Sequence, residues 1–285
     1  DAVLRFLPHR DRRLVGAWCF VDVYGPWDLR GQVGMTVAPH AHIGLQTVSW
    51  LLEGQVLHRD SLGTTATVEP GHAAVMTAGR GIAHSENSPP EHPDGLHGAQ
   101  LWIALPEADR NVEPAFELTP SVPVLLDGGK ATVFVGSLAR VGAPGRGYTP
   151  LLGAEVSPDP GEGHLVIPLD PAYEHLVLPM TGTARLDGAE LTPRRAGYVG
   201  PGRTHLHLDV TPDARMLLLG GEPFGEAIVM WWNFVARTHE QIAEAREQWN
   251  GGSSRFGEVA HYPDGTRLAA PPLPNVRLSP RGATR

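Results

Sequence analysis

Short apolar or alternating segments recur along the whole chain and are separated by turns rich in glycine and proline. Examples are LQTVSWLLEG at 45–54, GAQLWIAL at 98–105 and ATVFVGSL at 131–138. Short segments of this kind, closely spaced and bounded by turn residues, are typical of the strands of a β-sandwich or barrel. The pattern therefore predicts an all-β fold class with antiparallel strands.

One segment near the C-terminus has helical periodicity instead. Thr238 is a suitable N-cap, and Gln241 follows three residues later, as in a capping box. Three residues then recur at a spacing that places them on one face of a helix: Ile242, Ala245 and Trp249. We predict a short helix near 239–249, followed by an extended tail rich in proline and glycine.

Composition narrows the class of protein. Of 285 residues, 41% are hydrophobic and 19% are charged, as in a soluble globular protein with a substantial core. The formal net charge is −8 without any dense lysine and arginine run, which argues against direct nucleic-acid binding. Cys19 is the single cysteine, so the chain has no disulfide framework and no thiolate cluster. No apolar run reaches the roughly 20 residues that span a bilayer, and we expect a cytoplasmic protein.

Two stretches of the chain resemble each other weakly. In each, an apolar run ends in a turn glycine, and a glycine-rich turn ending in histidine follows downstream. The paired positions are Gly54 with Gly182 and His84 with His205. This repeat predicts two similar barrels. The expected domains are an N-terminal barrel at 1–125 and a C-terminal barrel at 126–285 that includes the helix and the tail.

Two pairs of potential metal ligands stand two residues apart within the first repeat. They are His40 with His42 and His84 with Glu86. Residues i and i+2 of a strand point to the same face of a sheet, so each pair projects to one side. If both strands line one barrel with these faces inward, the four side chains converge at distances that suit a metal ion.

The second repeat carries different side chains at the matching positions. Alignment of the turn glycines and of the two histidines gives Pro168, Asp170, His205 and His207. The first pair of ligands is absent from this set, so the same site cannot form. We therefore expect the C-terminal barrel to be metal-free, with His205 and His207 at the surface or in ordinary core contacts.

The segments around the first set resemble a known family. Gly34, His40, His42 and Gly54, followed by GRGIAH at 79–84, resemble the two motifs of the cupin superfamily. Within the cupins, three longer segments look like those of the pirin family. They are PHAHIGLQTVSWLLEGQVLHRDSLG at 39–63, PGHAAVMTAGRGIAHSE at 70–86 and GEPFGEAIVMWWNFVARTHEQIAEA at 221–245. This resemblance implies a bicupin, two β-barrels face to face, with one metal ion in the N-terminal barrel.

The resemblance also implies which residues bind the metal ion. The family's three histidines and one glutamate map onto His40, His42, His84 and Glu86, and its usual metal implies Fe(II). The ligand types alone leave nickel, manganese, zinc and copper open. A closed structural zinc site more often includes cysteine, so a site with open positions is favoured. Gln46 stands where family members often carry glutamate, which would alter a hydrogen bond outside the ligand set.

Other histidines of the N-terminal half receive less specific expectations. His58, in EGQVLHRDSLG, is a candidate hydrogen-bond partner of a ligand. His72, His92 and His97 lie in segments rich in proline and glycine, and we expect them to face solvent.

Two classes of function agree with this site. The resemblance of several pirins to quercetin 2,3-dioxygenases implies an enzyme that binds O₂ and a flavonol or other small enol, and that opens the flavonol ring with loss of CO. Glu86 would then act as both ligand and general base for the substrate hydroxyl. The alternative is a non-enzymatic, redox-sensing iron protein that regulates a transcription factor or metabolic enzyme through protein contact. A metal cupin with another small substrate is a third option.

Overall fold

The structure is a computed structural model that describes residues 3–260, 262 and 266–284. Over these residues it contains 23 strands and one short C-terminal helix, which confirms the predicted all-β fold class. The strands of the N-terminal half are β1 (Leu4–Leu7), β2 (Trp18–Asp28), β3 (Thr36–His42), β4 (Leu45–Glu53), β5 (Val56–Asp60), β6 (Thr65–Val68), β7 (His72–Thr77), β8 (Ile82–Asn87), β9 (Gly95–Ala104) and β10 (Ala115–Pro120).

The remaining elements follow in chain order. They are β11 (Val122–Leu126), β12 (Gly129–Leu138), β13 (Val141–Gly142), β14 (Leu151–Pro158), β15 (His164–Pro168), β16 (Glu174–Thr181), β17 (Ala184–Leu186), β18 (Ala189–Leu191), β19 (Gly197–Val199), β20 (His205–Val210), β21 (Arg215–Gly221), β22 (Val229–Trp231), β23 (Phe234–Ala236) and the helix α1 (His239–Asn250).

Each half of the chain pairs a large antiparallel sheet with a four-stranded one. In the first half the strand orders are β1-β2-β9-β4-β7-β10 and β3-β8-β5-β6. In the second half they are β11-β12-β14-β21-β16-β19, with β13 beside β12, and β15-β20-β17-β18. Gly54 and Gly182 have φ values of 90° and 61° and connect corresponding strands, β4 to β5 and β16 to β17. Positive φ values favour glycine, which explains this part of the sequence repeat.

The two large sheets pack against each other through a shared apolar cluster. Trp50 on β4 stacks on Phe134 on β12, with ring centroids 4.6 Å apart. The indole Nε1–H of Trp50 donates to Glu155 Oε2 at 2.8 Å, and Arg215 Nε donates to the other oxygen at 2.7 Å. The large sheets are therefore covered on both faces. The predicted division after residue 125 stays a prediction, although β10 and β11 belong to different sheets.

The C-terminal helix begins and ends close to its predicted limits. Thr238 and Gln241 form the reciprocal capping box, and the helix buries Ile242, Ala245 and Trp249. These three side chains belong to a cluster that includes Ala41 of β3 and Ala83 of β8. The helix and tail thus cover the outer face of two strands in the N-terminal barrel. No helix within the described part of the chain is long and apolar enough to cross a membrane.

Candidate metal centre

Three neighbouring strands carry the candidate ligands into the N-terminal barrel. β8 lies between β3 and β5, and its His84 pairs with His40 on one side and with Asp60 on the other. Glu86 pairs with His58 of β5. Alternate residues of β3 and β8 pack outward under the helix, so the histidines and Glu86 face the interior.

A β-bulge on β3 sets the position of the first histidine pair. Val37 pairs with Glu86 and His40 pairs with His84, so β3 advances three residues while β8 advances two. Pro39, which has no N–H to donate, lies within this bulge on the edge strand of its sheet. Proline is tolerated there because no ladder hydrogen bond is lost. The bulge brings His40 back to the inward face.

The three histidines form one compact group. Each of His40, His42 and His84 offers one ring nitrogen, and these nitrogens lie within 4.8 Å of one another. His40 Nδ1 lies 2.9 Å from the carbonyl oxygen of Ala38, and His42 Nδ1 lies 3.0 Å from that of Asn233. A carbonyl oxygen can only accept, so both Nδ1 atoms carry hydrogen and both Nε2 atoms keep a free lone pair. This donor set fits a metal ion.

The protonation of the group suits metal binding at neutral pH. Burial lowers the pKa of His40 to about 4. Burial and the neighbouring imidazoles lower the pKa values of His42 and His84 well below the ordinary value of 6.5. Neutral imidazole is the form that binds metals, and here no proton competes with the ion near pH 7.

Glu86 lies beside this group in a hydrogen-bonded clamp. It forms a second, overlapping group with His58 and His84, whose ligand atoms also lie within 4.8 Å of one another. Its two oxygens contact Ser49 Oγ at 2.9 Å and Gln100 Nε2 at 2.6 Å. Burial raises the pKa of the Glu86 carboxyl despite these bonds. The four expected ligands therefore fall into two groups that share His84, and whether all four bind one ion stays a prediction.

The side chains of the clamp can be satisfied together when Glu86 carries one proton. Ser49 Oγ also lies 3.0 Å from Gln100 Oε1, and its single hydrogen can be donated to only one of its two oxygen neighbours. With a proton on Glu86, the carboxyl donates to Ser49, Ser49 donates to Gln100, and Gln100 donates back to Glu86. The clamp thus provides a place in which Glu86 can hold a proton.

A cavity of about 460 Å³ opens onto the site. His40, His42, Glu86 and Gln100 line it, together with an aromatic wall. In this wall, the rings of Phe20 and Trp102 stack with centroids 4.0 Å apart, and Trp102 meets His42 edge-on at 5.3 Å. A volume of several hundred cubic ångströms with apolar walls and few polar groups is typical of small-molecule sites.

Sequence reasoning missed several residues near the site. Ser49 and Gln100 were not singled out, and neither was Asp60, whose carboxylate accepts from His58 at 3.0 Å. The sequence did contain a sign of the role of Asp60. It stands two residues after His58, the same i, i+2 spacing as in the two pairs of candidate ligands. His58 itself is buried and contacts His84, as expected of a hydrogen-bond partner.

Other predictions for single residues had mixed outcomes. His72 is exposed and His92 half-buried, but the expectation that His97 faces solvent is wrong. His97 lies on β9 and only 4% of it is exposed, because the second barrel covers that face of the strand. Gln46 donates to Thr77 Oγ1 and to the Arg146 carbonyl oxygen, both at 3.0 Å, and so connects the barrels rather than supporting a ligand.

The matching strands of the second barrel have an apolar interior. His205 and His207 of β20 are exposed, whereas Leu206 and Leu208 are completely buried. The facing strand β15 contributes Leu165 and Ile167 to the same core. The metal-free state of this barrel stays a prediction, supported by this filling.

Comparison with known proteins agrees with this architecture. A candidate quercetin 2,3-dioxygenase of Pseudomonas aeruginosa, PA1205, is 45% identical over 95% of this chain and 86% of its own length. A pirin-like protein of Caulobacter vibrioides is 32% identical over 90% of this chain and 91% of its own length. The crystal structure of a quercetin 2,3-dioxygenase from Acinetobacter baumannii is 42% identical, with a TM-score of 0.92, over 97% of this chain and 92% of that one.

The family models divide the chain in the same order as the two barrels. The pirin model matches residues 2–103, and the model of the pirin C-terminal cupin domain matches 155–257. Together with relatives that align over nine-tenths of the sequence, these matches cover the strands of both barrels and the capped helix. The chain therefore belongs to the pirin family of bicupins.

Proposed function

We propose that this protein is a metal-dependent dioxygenase that cleaves a flavonol or a related small enol, as quercetin 2,3-dioxygenases do. The observation that carries the proposal is the group of three buried imidazoles, two of which keep a free Nε2 lone pair, placed at a cavity with an aromatic wall. The similarity to proteins named quercetin 2,3-dioxygenase supports the same reaction class.

His40, His42 and His84 would hold the ion through Nε2, and Glu86 would complete the set after leaving its clamp. Fe(II) is the proposed metal, and the nitrogen and carboxylate ligands also accept nickel, manganese, zinc or copper. When bound, the ion would supply a Lewis acid and a common binding point for O₂ and the enol oxygen.

Glu86 is the proposed proton acceptor for the substrate hydroxyl. Its carboxyl group lines the cavity beside the three imidazoles, where the hydroxyl of a bound enol would lie. Ser49 and Gln100 provide hydrogen-bond partners for the protonated form. Both atoms of O₂ would enter the opened product, and one ring carbon would leave as CO.

The aromatic wall would position the substrate. Phe20 and Trp102 present stacked rings beside His42, which suits a flat aromatic molecule. The guanidinium group of Arg5 lies over the Phe20 ring, with its carbon 4.4 Å from the ring centroid. It donates two hydrogen bonds of 2.8 Å to the carboxylate of Asp22. These contacts hold the wall in place.

Metal content is the first test of the proposal. Wild-type protein reconstituted with Fe(II) should bind one ion per chain, and His42→Ala should lose most of it because no neighbouring side chain replaces the missing nitrogen. His205→Ala removes an exposed histidine of the second barrel and is the matched control. Two ions per chain, or undiminished metal in His42→Ala, would contradict the assigned site.

Oxygen uptake is the second test. We expect the Fe(II) protein to consume O₂ with quercetin, and Glu86→Gln to lose more activity than metal, because an amide oxygen can bind the ion but cannot take the proton. Glu190→Gln, at an exposed site, should be unaffected. If protein loaded with Fe(II), Mn(II) or Ni(II) turns over no flavonol and captures a stable protein partner, the regulatory alternative replaces the enzyme. Equal activity of Glu86→Gln at equal occupancy would leave the enzyme in place and remove the base assignment.

A further inference from the structure

We propose that Asp60 and His58 fix the tautomer of His84, and thereby keep its Nε2 free for the metal ion. These residues would be positioning residues that do not touch the ion. The inference rests on the metal site proposed above. Two overlapping groups of potential ligands occur around His84, and the inference decides between them: His58 is a hydrogen-bond relay rather than a ligand.

The geometry forms a chain of three side chains leading to the site. Asp60 Oδ2 lies 3.0 Å from His58 Nε2, and His58 Nδ1 lies 3.4 Å from His84 Nδ1. His84 Nε2 lies 3.1 Å from His42 Nε2. His58 therefore contacts Asp60 with one ring nitrogen and His84 with the other, and His84 contacts His58 and His42 in the same way.

Asp60 determines the direction in which the hydrogen bonds of this relay are donated. Its other oxygen, Oδ1, accepts the backbone N–H groups of Leu62 at 2.9 Å and Thr64 at 3.1 Å. Burial raises its pKa, but the bonds from His58, Thr64 and Leu62 outweigh that effect and hold the pKa below its ordinary value. Asp60 is thus an anion that only accepts hydrogen bonds.

The tautomers follow one from another. Since Asp60 can only accept, the neutral ring of His58 carries its hydrogen on Nε2, and its Nδ1 is left as an acceptor. His84 then donates from Nδ1, and its Nε2 keeps a lone pair that faces the lone pair of His42. Two lone pairs at 3.1 Å repel each other, and a cation bound by both nitrogens removes that repulsion.

The surroundings hold the relay rigidly. Phe116 stacks on His58 with ring centroids 4.2 Å apart and an interplanar angle of 18°. His58 and Asp60 are 3% and 1% exposed. With both ring nitrogens of His58 engaged, His58 has no free lone pair to offer an ion.

The test uses an almost isosteric substitution of Asp60 that reverses the direction of the hydrogen bonds from Asp60 to His84. In Asp60→Asn, the amide oxygen stays with the N–H groups of Leu62 and Thr64, so the NH₂ group faces His58. His58 must then carry its hydrogen on Nδ1, and His84 must move its hydrogen to Nε2, where it blocks the metal. Affinity for Zn(II), measured by competition with a chelator, should fall about 10- to 100-fold, the range typical for lost outer contacts.

The control and a double-mutant cycle separate this role from a general structural one. Asp209→Asn alters an exposed Asp–His pair of the same 3.0 Å length in the second barrel and should leave Zn(II) affinity unchanged. His58→Phe removes the relay, so adding Asp60→Asn to it should lower affinity no further. Wild-type affinity in Asp60→Asn, or additive losses in the double variant, would overturn the inference.

Nitrogen-15 NMR of the wild-type protein provides a readout that needs no variant to fold. Loaded with Zn(II), the protein should show hydrogen on His58 Nε2 and on His84 Nδ1. The opposite tautomers, or a zinc-bound His58, would refute the relay. Failure of His42→Ala to lose metal would refute the proposed site itself, so the two results are distinguishable.

Discussion

The metal-free protein should lose stability as the pH falls from 7 to 5, and His40 should account for a defined part of the loss. Its pKa is 6.5 in an unfolded chain and about 4 in the fold, because burial disfavours the charged ring. Between these values the unfolded chain binds a proton that the folded chain does not. Stability therefore rises with pH in this window and falls as the pH is lowered.

The size of the effect follows from the shift. At pH 5 the solution is 1.5 pH units below the pKa of His40 in the unfolded chain. Each unit corresponds to about 1.4 kcal/mol, so His40 alone lowers the unfolding free energy by about 2 kcal/mol. His42 and His84 act in the same direction, since their pKa values are also lowered. Glu86 acts in the opposite direction, because its raised pKa lets the folded state keep a proton.

Denaturant titrations of metal-free wild type and His40→Gln at pH 7 and pH 5 isolate the His40 contribution. Burial, the main cause of the pKa shifts of His42, His84 and Glu86, is common to both proteins, and the smaller effect of His40 on His42 and His84 is lost in the variant. Wild type should therefore lose about 2 kcal/mol more than His40→Gln over this pH interval. Equal losses in the two proteins would show that His40 is charged at little cost in the fold, and the reasoning from burial would be wrong.

Three further predictions concern stability. Removal of metal with a chelator should leave cooperative unfolding and a β-type circular dichroism spectrum, because one large apolar cluster joins the two barrels and another fills the second one; loss of cooperativity would indicate a structural metal. Thr238→Ala should cost about 1 kcal/mol in the thermal stability of the helix region, with Thr266→Ala as a control outside the cap. Arg215→Met should cost about 2 kcal/mol, because the buried Glu155 loses its guanidinium partner and keeps the Trp50 indole N–H, and adding Glu155→Gln should recover part of that loss; an additive double variant would contradict this.

The shared face of each pair of candidate ligands could be predicted from sequence because it depends only on the two-residue period of a strand. His40 and His42, and His84 and Glu86, each share a face whatever the curvature of the sheet. The capped helix was predictable for a similar reason, since its cap and its buried face are local features. Features that depend on the partner strand were not predictable, and the bulge at Pro39 is the clearest case, because it is defined only by the register against β8.

The hydrogen bonds around Glu86 could not be predicted from sequence for a different reason. The segment LQTVSWLL of β4 is buried along its whole length, because the second barrel covers the face that would otherwise meet solvent. Ser49 therefore points to Glu86 and the candidate ligands and Gln46 to the neighbouring barrel, yet no polar alternation distinguishes them. His97 was misassigned by the same effect. In a strand covered on both faces, sequence alone cannot assign an inward side.

In this protein the histidines of β8 and β20 differ in the face they occupy, and the apolar cover of the opposite face differs in the same way. On β8 the outward Ala83 packs beneath the C-terminal helix, so the strand is buried on both sides and His84 and Glu86 can occupy the barrel. On β20 nothing equivalent covers the outer face within the described residues, and His205 and His207 are exposed there while leucines fill the interior. The two barrels have matching strand order but opposite faces for their histidines. The helix and tail, far from these side chains in sequence, thus help determine that the candidate metal ligands face the interior of the N-terminal barrel.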